Sequence, residues 1–102
     1  MTVTEGTVDV GVRLAYTEAG RGDPPLLLLH GMACERRQYD AQVRHLSATH
    51  RVVALDLRGH GESAQPLDPS FYRDGRRWAD EVAAVIDVMA LERPLVVGWS
   101  LC

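Results

Sequence analysis

PLVVGWSLC, which occupies residues 94–102, decides the fold of this chain. The apolar run Leu95–Gly98 predicts a short buried strand, and Gly98-Trp99-Ser100 predicts a tight turn at its carboxyl end. Such a turn, with a small residue on each side of the serine, exposes the hydroxyl at the edge of a sheet as a nucleophile. The second small position is held here by Cys102. A serine after a strand is also typical of a helix cap, so Ser100 has two interpretations at this point.

The rest of the chain predicts four further strands. Residues 7–10 and 12–17 alternate apolar and polar side chains around Gly11, which predicts an antiparallel pair. The unbroken apolar run at 26–29 and the largely apolar run at 52–57 predict strands that are buried on both faces.

Two segments have the apolar spacing of amphipathic helices. Their apolar members are Tyr39, Val43 and Leu46 in the first helix, and Trp78, Val82, Ile86 and Met89 in the second. We expect Tyr39 in the core, Arg36 and Glu81 on polar faces, and Asp74 as the N-cap of the second helix. The predicted class is α/β, with an antiparallel strand pair followed by parallel strands joined by crossover helices.

Composition excludes several classes of function. The 102 residues carry a net charge of −3, which argues against nucleic acid as a partner, and all eleven basic residues are arginine, which excludes lysine chemistry. No apolar run is long enough to cross a membrane, and the N-terminus has no signal pattern. Cys34 and Cys102 lack metal-like spacing, so we expect no metal and no cofactor. We interpret both cysteines as reduced thiols of a cytoplasmic protein.

Two loops beside the predicted strand ends hold the other candidate residues. In His30-Gly31-Met32, the backbone N–H of Met32, together with that of Leu101, has the chemistry to stabilise an oxyanion. His30 is alternatively a buried histidine with no role beyond packing. The stretch Asp56–Ser63 (DLRGHGES) predicts a self-bonded structural turn, with a phosphate cradle as the weaker interpretation, because no helix follows directly.

Together, LHGM at 29–32, DLRGHGES at 56–63 and VGWS at 97–100 resemble the α/β-hydrolase family in order and spacing. The nearest resemblance is to small bacterial esterases, haloperoxidase-like enzymes and carbon–carbon bond hydrolases. It implies a spatial strand order of 1-2-4-3-5 and a small-molecule substrate with an ester or acyl group. It also implies that Ser100 is the nucleophile, that Met32 and Leu101 are the oxyanion donors, and that His30, Gly31 and Gly98 are structural. The epoxide-hydrolase and dehalogenase branches have Asp at the position of Ser100, so a serine there argues against them.

The resemblance also implies a catalytic acid and a histidine base that follow the nucleophile in the chain. All four histidines of this sequence precede Ser100. We therefore interpret residues 1–102 as the N-terminal part of a hydrolase domain, ending at the nucleophile turn and inactive alone. The alternative is a non-catalytic product that pairs with itself or a partner through the open edge of strand Leu95–Gly98.

Overall fold

The strands and helices of the chain alternate as the apolar patterns predict. The structure, a computed structural model, describes residues 2–98. Its strands are β1 (Val3–Asp9), β2 (Arg13–Ala19), β3 (Leu26–Leu29), β4 (Val52–Leu55) and β5 (Leu95–Gly98). Its helices are α1 (Asp40–Leu46) and α2 (Gly75–Val88), and short 3₁₀ turns span Arg36–Tyr39 and Pro69–Tyr72.

All five strands form a single sheet in the order β1-β2-β4-β3-β5. β1 pairs antiparallel with β2, and β2 pairs antiparallel with β4. β3 pairs parallel with β4 on one side and with β5 on the other. The predicted α/β class, the antiparallel start and the strand order are confirmed.

The two central strands bury both of their faces, because α2 covers one face of the sheet and α1 covers the other. Leu27, Val53 and Leu55 point to the α2 side, where they pack with Val85. The alternate residues point to the α1 side and pack with Val43 and Tyr39; they are Leu26, Leu28, Val52 and Ala54. Side chains alternate between faces along a strand, so an unbroken apolar run is what this double cover requires.

α2 begins where its cap predicts. The Asp74 side chain accepts a hydrogen bond of 2.9 Å from the backbone N–H of Arg76, which satisfies a donor that the helix itself leaves unpaired. The prediction for its polar face is wrong at Glu81, which is buried. Tyr39 lies in the core as predicted, and its hydroxyl donates to the carbonyl of Leu29 at 2.8 Å.

The strand predicted at Leu95–Gly98 is present at an edge of the sheet, so it is not buried as its apolar run alone predicts, and the expected open edge is found among the described residues. Within residues 2–98 it pairs only with β3, and it is the last strand of the sheet on that side. The side chains of Leu95, Val96 and Val97 are 56%, 49% and 43% exposed. Among the described residues, neither helix is long and apolar enough to cross a membrane.

Candidate active site

The carboxyl ends of three parallel strands meet at one edge of the sheet. Leu29, the last residue of β3, pairs with Leu55 of β4 and with Gly98 of β5. The loop after β3 begins with His30 and the loop after β4 begins with Asp56, so the two sequence motifs lie side by side. Ser100 and Leu101 follow Gly98 in the sequence by two and three positions and lie outside the described residues.

Asp56 is the centre of this edge and is fully buried. Its carboxylate accepts hydrogen bonds from the backbone N–H of Arg36 at 2.7 Å and from that of Glu62 at 2.9 Å, and it pairs with the Arg36 guanidinium. Its carbonyl accepts from the Ser63 hydroxyl at 2.6 Å. Residues 56–63 therefore fold around their own first side chain, as the structural interpretation of this stretch predicts.

Arg36 is a residue at this edge of the sheet whose burial the sequence analysis does not predict. We expect it on a polar helix face, but it is only 3% exposed. Its Nε donates to the Thr17 hydroxyl at 2.9 Å, and its Nη2 donates to Glu62 at 2.9 Å. Burial alone would lower the pKa of Arg36, but the hydrogen bonds to Glu62 and Asp56 outweigh burial and raise that pKa. Its partners lie on β2 and in the loop after β4, so no local pattern reveals this role.

The Asp56 carboxylate leaves no room for a side chain at position 61, so this position requires glycine. Its φ of +52° is in the left-handed region, and a Cβ built on it would lie 2.3 Å from Oδ2 of Asp56. The turn therefore encloses the Asp56 carboxylate. A phosphate-binding loop would instead direct backbone N–H donors at its ligand. This arrangement contradicts the phosphate-cradle interpretation of residues 58–61.

A second buried ion pair joins the same turn to α2. The Arg58 guanidinium is fully buried, and its Nε donates to Glu81 at 2.8 Å. The guanidinium also lies 4.4 Å from the ring centroid of Trp78, whose Nε1 donates to the Arg58 carbonyl at 3.1 Å. This pairing explains why Glu81 is buried on a face that the sequence predicts to be solvated.

His30 is a buried histidine that joins the two loops. The backbone N–H of Leu57 donates to its Nε2 at 2.9 Å, so the ring proton is on Nδ1, which donates to the Gly31 carbonyl at 2.8 Å. Burial lowers the pKa of His30 below its ordinary value of 6.5. Both ring nitrogens are engaged with backbone groups, so His30 stabilises the loops and has no free nitrogen for proton transfer.

The loop that holds Met32 is a tight turn. The N–H of Cys34 donates to the Gly31 carbonyl at 3.1 Å, and Ala33 has a left-handed φ of +67°. The Met32 side chain points to the exterior and is exposed. Cys34 is in a disulfide, so the prediction of a reduced thiol is wrong there, and the argument for a cytoplasmic location loses its basis. Cys102 lies outside the described residues.

Comparison with known families supplies the classification of this fold. The family model described as "Alpha/beta hydrolase family" matches residues 26–101, which is most of the chain. This chain belongs to the alpha/beta hydrolase family. The resemblance drawn from the three motifs is thereby confirmed.

Several relatives of this alpha/beta hydrolase chain cover most of its length. Epoxide hydrolase 4 of Mus musculus is 37% identical over 91 residues, which are 88% of this chain and 25% of the relative. A bifunctional esterase/perhydrolase of Acinetobacter calcoaceticus is 36% identical over 96 residues, which are 92% of this chain and 34% of that enzyme.

Solved structures give the same result. The crystal structure of a putative aryl esterase from Burkholderia cenocepacia matches 95% of this chain and 37% of its own, with 39% identity and a TM-score of 0.87. An epoxide hydrolase from Vigna radiata matches 96% of this chain and 32% of its own, with 30% identity and a TM-score of 0.90. The chain therefore spans about a quarter to a third of the length of these relatives.

The alpha/beta hydrolase turn at 56–63 gives a first prediction. We expect Gly61→Ala to lower the free energy of unfolding by at least about 2 kcal/mol, from the ~1–2 kcal/mol left-handed penalty plus the clash with Asp56. Gly75→Ala is the matched control, because a Cβ at Gly75 meets nothing within 4 Å. Urea denaturation measures both variants, and equal stabilities would contradict this account of the turn.

His30 gives a second prediction, for the dependence of stability on pH. The native pKa of His30 lies below 6.5, so below about pH 6.5 the unfolded chain binds a proton that the folded chain does not. His30 therefore contributes stability at neutral pH that is lost as the pH falls from about 6.5 toward its native pKa. We expect the stability of His30→Gln to fall less steeply between about pH 7 and 5, by up to about 1.4 kcal/mol per unit.

The control for this experiment is His45→Gln, because His45 is exposed on α1. Its stability curve is expected to run parallel to that of the unmodified protein. If His30→Gln also runs parallel, His30 is not held neutral in the folded chain.

Proposed function

We propose that the protein is a serine hydrolase that cleaves an ester or a related acyl or carbon–carbon bond through Ser100. The observation that carries the proposal is the pairing of Leu29 with Gly98. It puts the start of Gly98-Trp99-Ser100 beside the start of His30-Gly31-Met32, and acyl transfer needs a nucleophile and oxyanion donors at one place. The proposal treats residues 1–102 as the N-terminal part of a single hydrolase domain.

The proposed chemistry uses the hydroxyl of Ser100 and two backbone N–H groups. The hydroxyl oxygen attacks the substrate carbonyl carbon as its proton passes to a histidine base, and the carbonyl oxygen takes up negative charge in a tetrahedral intermediate that then expels the leaving group. The N–H groups of Met32 and Leu101 stabilise that charge by donating hydrogen bonds. The tight turn at 31–34 supports this role for Met32, because it gives the backbone a defined direction at the strand end.

The identity of residue 100 supports one of the two kinds of relative. Epoxide hydrolases and esterases match this chain about equally well. The matched region holds the sheet and the two interlocked loops, which either chemistry can use as a frame. Serine at position 100 supports the esterase-like branch, because a serine hydroxyl forms an acyl-enzyme with an ester substrate.

The histidine base is proposed to lie in a part of the protein outside this sequence. His30 and His60 have both ring nitrogens engaged with backbone groups at the site. His50 precedes β4 at the opposite end of the sheet, where its Nδ1 contacts the Pro24 carbonyl at 2.9 Å. His45 is exposed on α1. In α/β-hydrolases the catalytic acid and base follow the nucleophile along the chain. The positions of the four histidines, all of which precede Ser100, agree with a base located elsewhere.

The serine is tested with the protein expressed from its complete coding sequence. We expect Ser100→Ala to lower kcat for p-nitrophenyl acetate by at least about a thousandfold, because the attacking oxygen is removed. A fluorophosphonate is expected to label Ser100, with loss of fluoride, and to give no adduct in the variant. Ser70→Ala, at an exposed serine, is the control and is expected to keep full activity.

Activity that survives Ser100→Ala would refute the proposed nucleophile. Hydrolysis of styrene oxide with no hydrolysis of the ester would place the protein with its epoxide-hydrolase relatives instead.

A second candidate function is pairing through the edge of β5 that has no neighbouring strand among residues 2–98. The half-exposed side chains of Leu95, Val96 and Val97 favour it, since an apolar edge strand offers unpaired backbone groups to another chain. In this case the 102-residue chain is a non-catalytic half-domain that associates with itself. We expect light scattering of this chain to give a dimer, and Val96→Arg to give a monomer. A monodisperse monomer without the substitution would count against this alternative.

A further inference from the structure

The residue after Met32 has a strained backbone. Ala33 has a φ of +67°, a region that residues with a Cβ seldom occupy. Such a conformation persists only where the surrounding structure holds it in place. One constraint is the turn closed by the Cys34 N–H and the Gly31 carbonyl at 3.1 Å. The Met32 N–H shares a peptide plane with the Gly31 carbonyl, so its direction depends on how the turn through Ala33 is held.

The second constraint on Ala33 comes from the loop after β4. The N–H of Ala33 donates to Nε2 of His60 at 3.2 Å. A ring nitrogen that accepts a hydrogen bond carries no proton, so the proton of His60 is on Nδ1. Nδ1 lies 3.2 Å from the Arg58 carbonyl and donates to it. His60 is thus held at both ring nitrogens by backbone groups.

His60 and His30 form a reciprocal pair of links between the two loops. His30 belongs to the loop after β3 and accepts from Leu57 in the loop after β4, whereas His60 belongs to the second loop and accepts from Ala33 in the first. Their ring centroids are 4.8 Å apart. Buried contacts at Asp56 and Arg58 anchor the loop that holds His60, so the links tie the Met32 turn to a fixed support.

We propose that His60 is a positioning residue for the oxyanion donor at Met32. Its imidazole binds the Ala33 amide, holds the Met32–Ala33 peptide in the turn that closes on the Gly31 carbonyl, and so restricts the direction of the Met32 N–H. This inference rests on the proposed function, since it assigns His60 to the same oxyanion site. His60 does not touch the substrate and transfers no proton. Its contribution to kcat comes from geometry, because misplacement of about 1 Å at a reacting centre costs up to about a hundredfold.

The kinetic experiment uses the protein from its complete coding sequence and p-nitrophenyl acetate. We expect His60→Phe, which keeps an aromatic ring and removes the acceptor, to lower kcat about ten- to a hundredfold with KM changed less than about threefold. We expect His60→Gln, whose side-chain oxygen replaces Nε2 as an acceptor, to recover most of that loss. His45→Phe, at an exposed histidine on α1, is the matched control and is expected to leave both constants unchanged.

A structural measurement separates positioning from a general loss of folding. Native-state hydrogen exchange is expected to be at least about tenfold faster at the Ala33 amide in His60→Phe, with exchange in β3 and β4 unchanged. Nitrogen NMR of the unsubstituted protein is expected to show His60 with its proton on Nδ1. This last measurement needs no variant, so it shows whether Nε2 of His60 can accept the hydrogen bond from Ala33 even if His60→Phe does not fold.

The outcomes distinguish this proposal from the proposed function. If Ser100→Ala abolishes activity but His60→Phe keeps kcat within about twofold, the serine hydrolase stands and the positioning role is overturned. If kcat falls in His60→Phe but the exchange rate of the Ala33 amide is unchanged, the positioning role is also overturned, because the loss of activity then has a different cause. An NMR spectrum that shows the His60 proton on Nε2 overturns it as well. Activity that survives Ser100→Ala overturns the proposed function, whatever the Ala33 amide shows.

Discussion

The carboxylate of Asp56 is the constraint on which the site edge depends. Removing a charged group from water costs several kcal/mol unless its hydrogen-bond positions are filled, and Asp56 is fully buried. The donors that fill them are the backbone and guanidinium of Arg36 and the backbone of Glu62. They come from two segments far apart in the sequence, so the carboxylate is satisfied only when both loops have folded against each other.

The buried charges and the candidate reacting groups have separate tasks in this architecture. One ion pair, Asp56 with Arg36, fixes the segment that leads into α1, and another, Arg58 with Glu81, fixes α2. Buried pairs add little net stability, and we interpret these as specifying one arrangement of loops and helices. The candidate oxyanion turn at Met32 is thus held in place by side chains that take no part in the proposed reaction.

Sequence patterns predict the elements of this fold because apolar periodicity is local. They fail at Arg36 and Glu81, whose partners are 20 and 23 positions away, since a helix-face pattern contains no information about distant charges. They also fail for the burial of β5, because an apolar strand does not specify how many neighbours it has. The motifs indicate where the candidate site lies, but the histidine tautomers depend on backbone donors from the other loop and are visible only in three dimensions.

The interlocked loops have a consequence for recombination within this family. A chimera of two divergent parents that is joined between positions 37 and 55 takes Arg36 from one parent and Asp56 from the other, and the histidine links are divided in the same way. A junction near Leu67, whose side chain is 96% exposed, leaves every link between the two loops within one parent. We therefore expect a chimera to keep these loop contacts when residues 30–63 come from one parent, although a junction near Leu67 still divides the pair of Arg58 with Glu81.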